Sequence, residues 1–260
     1  MNIPELWAEL ELEQEWRQRE IRFLQNQIAS VKPEKEQDLF RRAAVLILYA
    51  HFEGFCKFAF TVYANAVNSE GITCGEANYA IAAASLSDLF RALREPERKC
   101  PQFKKELPDD SALHRFARDR EFIEQSDEFE KRRVNIPDWV INTESNLNPM
   151  VLKKILYRLG FYHNQFISIE GDIQLLLNYR NGIAHGESKN GIPLNKYNRV
   201  RSAAYRVMDT VKAEVMAALQ QKLYLRNVSR GGPRTKRHRD QMSVDGTISN
   251  NSNKRLHLEI

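Results

Sequence analysis

Residues 43–62, AAVLILYAHFEGFCKFAFTV, are nearly all apolar, and they leave the chain few ways to fold. Twenty residues of this kind are long enough to cross a bilayer as a helix. However, His51, Glu53 and Lys57 stand in the middle of the run, where charge is prohibitive for an isolated span. No basic flank orients it either. The expectation is therefore a helix buried on all sides at the centre of a bundle, with no membrane contact.

The remainder of the chain agrees with a helical core. Hydrophobic residues make up 42% and charged residues 28% of 260 positions, ample for a sizeable interior. Leu, Ala and Glu dominate, glycine is scarce, and β-branched alternation is rare, so the fold class is all-α. A first helix is expected from Pro4, a favoured first-turn residue, to about 29, and Pro33 breaks it. A second, containing the apolar run, spans 34 to about 68. Short helices follow at 74–84 and 87–95, with Ser85 or Ser87 as an N-cap. Residues 100–110 read as a loop, and Asp110 or Ser111 opens a charged helix to about 133. Pro149 and Gly160 bracket a helix at 149–159. Another starts near 169 and carries Ile173, Leu176 and Leu177 inward. The last, about 195–225, has an apolar stripe of Val200, Ala204, Val207, Val211 and Ala218.

Net charge is +5, but residues 229–260 hold seven basic and three acidic side chains, so that segment carries +4. The body, 1–228, is close to neutral and is expected to form one helical domain. The segment 229–260 is rich in Ser, Gly, Asn and Arg without periodicity, and is expected to be a disordered basic tail. Cys56, Cys74 and Cys100 are too widely spaced for a metal or disulfide framework, which fits reduced thiols in the cytoplasm. The acidic N-terminus shows no signal peptide. No P-loop, GxGxxG, HExxH, CxxC or GxSxG motif is present, and neither cofactor nor metal is expected.

The stretch that points to chemistry is LLLNYRNGIAHGE at 175–187. Arg180 can clamp a phosphate with a rigid fork of donors, and His185 can take or give a proton near neutral pH. Asn181 lies between them. The spacing alone decides nothing: chance yields about one Arg–His pair of this kind for every two chains of this make-up. Arg158 and His163 form a second copy beside Gly160, read as capping and loop decoration. On an ideal helix Arg180 and His185 point about 140° apart, so either the helix deforms at Gly182 or His185 lies past its end. A plain alternative is that both serve the helix C-terminus, with Gly186 as the residue beyond the cap. Tyr49, Glu53 and Lys57 share a face of the apolar helix, either as a surface ion pair or as a buried polar seam that meets Arg180. Lys196, Arg199 and Arg206 form a basic stripe on the last helix, read as a solvated face or as a weak track for an RNA backbone.

RNGIAHGE, together with LYAHFEGFCK at 48–57 and INTESNLNPMVLKKILYRLGF at 141–161, resembles the HEPN superfamily (higher eukaryotes and prokaryotes nucleotide-binding domains). The likeness is to its stand-alone bacterial branch found near toxin–antitoxin and phage-defence genes, and it covers roughly 40–226. It implies a helical bundle in which Arg180 and His185 are the catalytic pair. Asn181 would be the polar residue after the arginine, and Glu53 the supporting carboxylate on the earlier helix. It further implies a metal-independent endoribonuclease working as a homodimer on RNA, with an antitoxin or defence-system partner. A non-catalytic module that binds RNA, nucleotide or protein is the other reading. In toxins silenced by a nucleotidyltransferase a tyrosine stands two residues after the histidine; here Glu187 occupies that place.

Deleting 229–260 should leave folding and cut-site choice unchanged and weaken RNA affinity, chiefly at low salt, because screened attraction is what such a segment supplies. A deletion that unfolds the protein in circular dichroism would refute the assignment as a tail.

Overall fold

The apolar run forms the middle of α2 (Glu34–Ser69), whose 36 residues make it about 54 Å long. The computed structural model describes residues 1–96, 98–101 and 111–226. The expected tail at 229–260, and most of the expected loop at 100–110, lie outside the described residues. Around α2 stand α1 (Ile3–Ser30), α7 (Glu170–Ala184) and α8 (Leu194–Gln220), each packed against it. Shorter helices α3 (Tyr79–Ser85), α4 (Ser87–Arg94), α5 (Ser111–Phe129) and α6 (Pro149–Arg158) complete the set, with 3₁₀ turns at Asp138–Ile141 and Ile167–Ile169. The architecture is all-α, as the composition requires.

The packing follows from which side chains cannot face water. Val45, Leu48, Phe52, Phe55, Cys56 and Ala59 of α2 are fully buried and occupy more than one helical face. A helix apolar on several faces has to be enclosed, and truncating one such residue, Phe52→Ala, removes about 3–5 kcal/mol. α2 is long and apolar enough to cross a membrane, yet 56% of its most apolar window is buried within the protein. α8 turns its stripe of Val200, Ala204, Val207, Val211 and Ala218 inward, every member buried. α1 opens with Asn2 as N-cap and Pro4 in the first turn, and buries Leu10, Gln14, Ile21 and Ile28, which are four and then seven residues apart and so share one face.

The middle of the chain departs from the expected helices. Residues 74–77 are not helical: Cys74 N–H donates to Arg132 O (2.8 Å) and Gly75 N–H to Glu130 O (2.9 Å), so this piece pairs with 130–133 instead. Gly75 permits it, since a Cβ there would lie 3.1 Å from the Glu130 carbonyl oxygen. α3 therefore starts late, capped by Asn78, whose Oδ1 accepts from Ile81 N–H (3.0 Å). Ser85 is no N-cap; it is buried, donating to Ile81 O (2.9 Å) and accepting from Asn135 N–H (3.2 Å). Nor does Ser87 cap: Leu86 stands at the start of α4 with no side-chain cap. α5 ends at Phe129, not near 133, because 130–133 is taken by that pairing. α8 stops at Gln220, not near 225, because the backbone turns at Lys222 (φ 52°) and Tyr224 O accepts from Asn78 N–H (2.7 Å). Long-range bonds override local propensity in each place.

One polar cluster interrupts the apolar contact of α1 with α2. His51 is buried with Nε2 2.9 Å from a Glu20 carboxylate oxygen, and its ring meets Trp16 edge-on at 5.0 Å. Arg17 pairs with Glu13, lies over Trp16 (4.5 Å), and sits 3.4 Å from His51 Nδ1. Gly54 leaves room for it: a Cβ there would come within 2.9 Å of the Arg17 guanidinium. Burial holds His51 below its ordinary pKa, the Arg17 cation acting the same way and Glu20 opposing. The folded state thus binds this proton less readily than the unfolded chain. The resulting stability is complete above about 6.5 and is lost as pH falls below it. Urea unfolding should show stability declining from about pH 7.5 to about pH 5, and His51→Gln should flatten that slope. Equal slopes in both proteins would show that another group sets it.

Candidate functional site

α7 is built to hold its last turn against α2. Glu170 and Asp172 sit in its first turn, where the helix dipole favours acid. Ile173, Leu176 and Leu177 are buried, which fixes the rotation of the helix and brings Arg180 to the rim of the core. There Arg180 Nη1 donates to Asn181 Oδ1 (2.8 Å) and to Asn146 Oδ1 (3.1 Å). Its Cζ lies 5.1 Å from the centre of the Tyr49 ring, a cation–π contact with α2. Nε and Nη2 engage nothing among the described residues. The guanidinium is therefore oriented through one nitrogen and its ring contact, with the three N–H donors of Nε and Nη2 left to offer.

Tyr49 joins Arg180 to Glu53. The ring is buried, and burial is the main reason the phenol pKa is raised; the Glu53 carboxylate raises it further, while the Leu147 backbone and the Arg180 cation pull it down. Glu53 is close enough to act on the hydroxyl, yet the hydroxyl oxygen completes no hydrogen bond of good geometry. Glu53 forms no ion pair with Arg180 among the described residues. Lys57 is exposed and pairs with no carboxylate among the described residues, so the shared face divides into a buried Tyr49, a half-buried Glu53 and an exposed lysine.

His185 lies one residue past the end of α7 as its C-cap, with φ −86° and ψ 0°. Its N–H donates to Asn181 O (2.9 Å), and Gly186, at φ 72°, donates to Ile183 O (3.1 Å). This is the left-handed stop that glycine adopts without steric penalty. Helical geometry persists to the cap, so His185 keeps its angular separation from Arg180. Its ring is exposed and makes no hydrogen bond or ion pair among the described residues. The structure thus puts Arg180, Asn181, Tyr49 and Glu53 together, and leaves His185 facing outward next to them in the chain.

The segment after His185 is fastened to the first turns of α2 by residues that no spacing rule singled out. Arg42 donates through Nε (3.0 Å) and Nη2 (2.7 Å) to Ser188 O, and Ser188 N–H donates to Gly182 O (2.9 Å). Buried Arg41 pairs with Asp38 and donates through Nε to Ile192 O (3.0 Å), while Ile192 N–H donates to Asp38 O (2.8 Å). The backbones meet so closely that a Cβ on Gly191 would stand 2.5 Å from Asp38 Cβ and 2.7 Å from Asp38 carbonyl carbon. The tandem Arg41–Arg42 at the edge of an apolar run was the available signal. On α8, Lys196 and Arg206 are exposed without ion pairs among the described residues, whereas Arg199 Nε is paired with Asp172 of α7. Of the second Arg–His pair, Arg158 lies over Trp139 at 5.0 Å and His163 packs edge-on against Tyr157 at 5.5 Å. Among the described residues, no three His, Cys, Asp or Glu side chains converge to hold a metal ion.

A helical bundle with an Arg–Asn–x₃–His sequence closing a core helix is the form of a HEPN domain. The chain belongs to the MAE_28990-like HEPN family, which matches it over residues 6–224. No curated protein and no solved structure matches the chain.

Gly191→Ala should lower the melting temperature by several degrees, since overpacking of about 1–3 kcal/mol corresponds to roughly 2–4 °C per kcal/mol at this size. Gly171→Ala is the control, as its Cβ would meet nothing within 4 Å. Indistinguishable melting curves for the two variants would show that Asp38 and the 188–192 segment separate freely.

Proposed function

We propose that this HEPN protein is a metal-independent endoribonuclease that cleaves RNA by attack of its own 2′-hydroxyl. The observation that carries the reading is the state of the Arg180 guanidinium. Asn146, Asn181 and the Tyr49 ring hold it in place, while Nε and Nη2 remain available for the charge that builds on the phosphorane. The exposed His185 ring supplies the group that can remove the 2′-proton or deliver a proton to the departing 5′-oxygen. The attack forms the 2′-oxygen–phosphorus bond, breaks the phosphorus–5′-oxygen bond, and leaves a cyclic phosphate.

One chain brings one His185 and one Arg180, whereas the reaction uses a base and an acid. In this reading two copies meet about a two-fold axis beside the end of α7, doubling both groups. His185 pointing away from its own Arg180 suits that arrangement. The Tyr49 ring helps set the position of Arg180, Glu53 acts on the Tyr49 hydroxyl beside it, and Lys196 and Arg206 extend weak backbone contacts along α8. We place the protein in the cytoplasm as a toxin or phage-defence effector, with a partner protein that restrains it. The second reading, a binding module without catalysis, is favoured by the same His185 as a helix cap, a role that needs no chemistry.

RNA incubated with the wild-type protein in excess EDTA should be cut. His185→Ala and Arg180→Ala should each lose the activity with melting temperatures nearly unchanged, since a terminal capping role contributes only about 0.3–1 kcal/mol. His163→Ala should remain active. Intact RNA with the wild-type protein, or several kcal/mol of lost stability in either site variant, would favour the module.

A further inference from the structure

An open groove of about 1070 Å³ lies away from Arg180 and His185, between α4 and the 3₁₀ turn Asp138–Ile141. Its lining includes Ser87, Phe90, Arg91, Arg94, Glu95 and Trp139. Trp139 keeps 48% of its surface exposed, so part of the indole is free to meet a ligand. Arg158, from the end of α6, lies over its ring at 5.0 Å, and Arg94 lies 5.8 Å from the centre of the Phe90 ring. Neither Arg91, Arg94 nor Arg158 forms an ion pair among the described residues, although the neighbouring Arg98, Arg120 and Arg132 all do. Among the described residues the groove thus sets two guanidiniums without ion pairs and two aromatic rings against one carboxylate, Glu95, with Arg158 over the indole beside it.

We propose that this groove is a subsite for single-stranded RNA, in which Trp139 stacks an unpaired base and Arg91, Arg94 and Arg158 receive the adjoining phosphates. Aromatic platforms flanked by cations are how proteins hold single strands without reading sequence. A paired base has no free face to offer the indole, so the site discriminates against duplex. The choice of RNA as ligand rests on the ribonuclease reading above, and the position of the groove suits it. Trp139 and Asn146 belong to the same segment, and Asn146 is one of the two asparagines that accept from Arg180. Seven residues can separate their Cα atoms by no more than about 25 Å, a distance that a short single strand spans.

The test uses the full chain carrying His185→Ala, so that RNA survives, and measures fluorescence anisotropy of a labelled RNA of about ten nucleotides. Trp139→Ala should weaken single-strand binding about tenfold, Trp139→Phe should recover part of that loss, and the same sequence as a duplex should bind both proteins alike. Arg91→Gln with Arg94→Gln should flatten the dependence of affinity on salt. Emission from Trp139, isolated by Trp7→Phe and Trp16→Phe, should be quenched by the single strand and not by the duplex. The proposal fails if Trp139→Ala leaves single-strand affinity unchanged, if duplex binding falls equally, or if polyglutamate of matched charge shows the same loss. Single-strand binding with this pattern by a wild-type protein that cuts nothing would sink the ribonuclease reading and keep the subsite. Cleavage that is insensitive to Trp139→Ala, with unchanged affinity, would do the reverse.

Discussion

The structure depends on burying α2. A helix with Phe52, Phe55, Leu48 and Val45 fully enclosed exposes too little polar surface to lie at a boundary, so α1, α7 and α8 have to surround it. The same enclosure dictates where polar groups go. Each polar side chain that α2 carries into this interior needs a partner on a neighbouring helix or loop, because an unmatched one costs free energy. His51 finds Glu20 on α1, and Arg41 and Arg42 find the carbonyls of Ile192 and Ser188. Tyr49 departs from that rule: its ring meets the Arg180 cation, while its hydroxyl completes no hydrogen bond.

That demand places the candidate site. Arg180 is positioned by an aromatic ring of the central helix and by two asparagine oxygens, one of them supplied by a loop outside α7. His185 owes its position to the glycine stop of α7 and to the clamp of Arg41 and Arg42 on the following segment. The two groups are therefore held by different contacts, one facing into the rim of the bundle and the other away from it. Membership of the HEPN family is consistent with a role in handling nucleotides or RNA. The ribonuclease proposal turns on what stands opposite His185 when two copies meet.

Some features were legible from residues alone. The apolar run, the Pro4 and Pro149 helix starts, the Gly160 and Gly186 stops, and the inward stripe of α8 all appear in the structure where periodicity puts them. They are local signals: each is a property of residues within a turn or two of one another. Ser85 shows where such signals fail. Its hydroxyl suits an N-cap, yet Asn135, fifty positions later, claims it. Likewise Cys74 and Gly75 look helical until Arg132 and Glu130 pair with them.

By itself, the sequence determined the all-α class, the central helix and the family, since composition, period and the order of motif blocks require no knowledge of folding in space. It also marked Arg180, Asn181 and His185 as the residues to watch. Only the tertiary structure decided that Arg180 rests on Tyr49 and reaches Asn146, 34 positions away, while His185 faces outward. Only it brought Arg42 to Ser188 across 146 positions, and Arg91 and Arg94 to the Trp139 groove. The reason is physical. Residues far apart in sequence are paired by the rotation and crossing of packed helices, which the buried side chains of every helix set jointly.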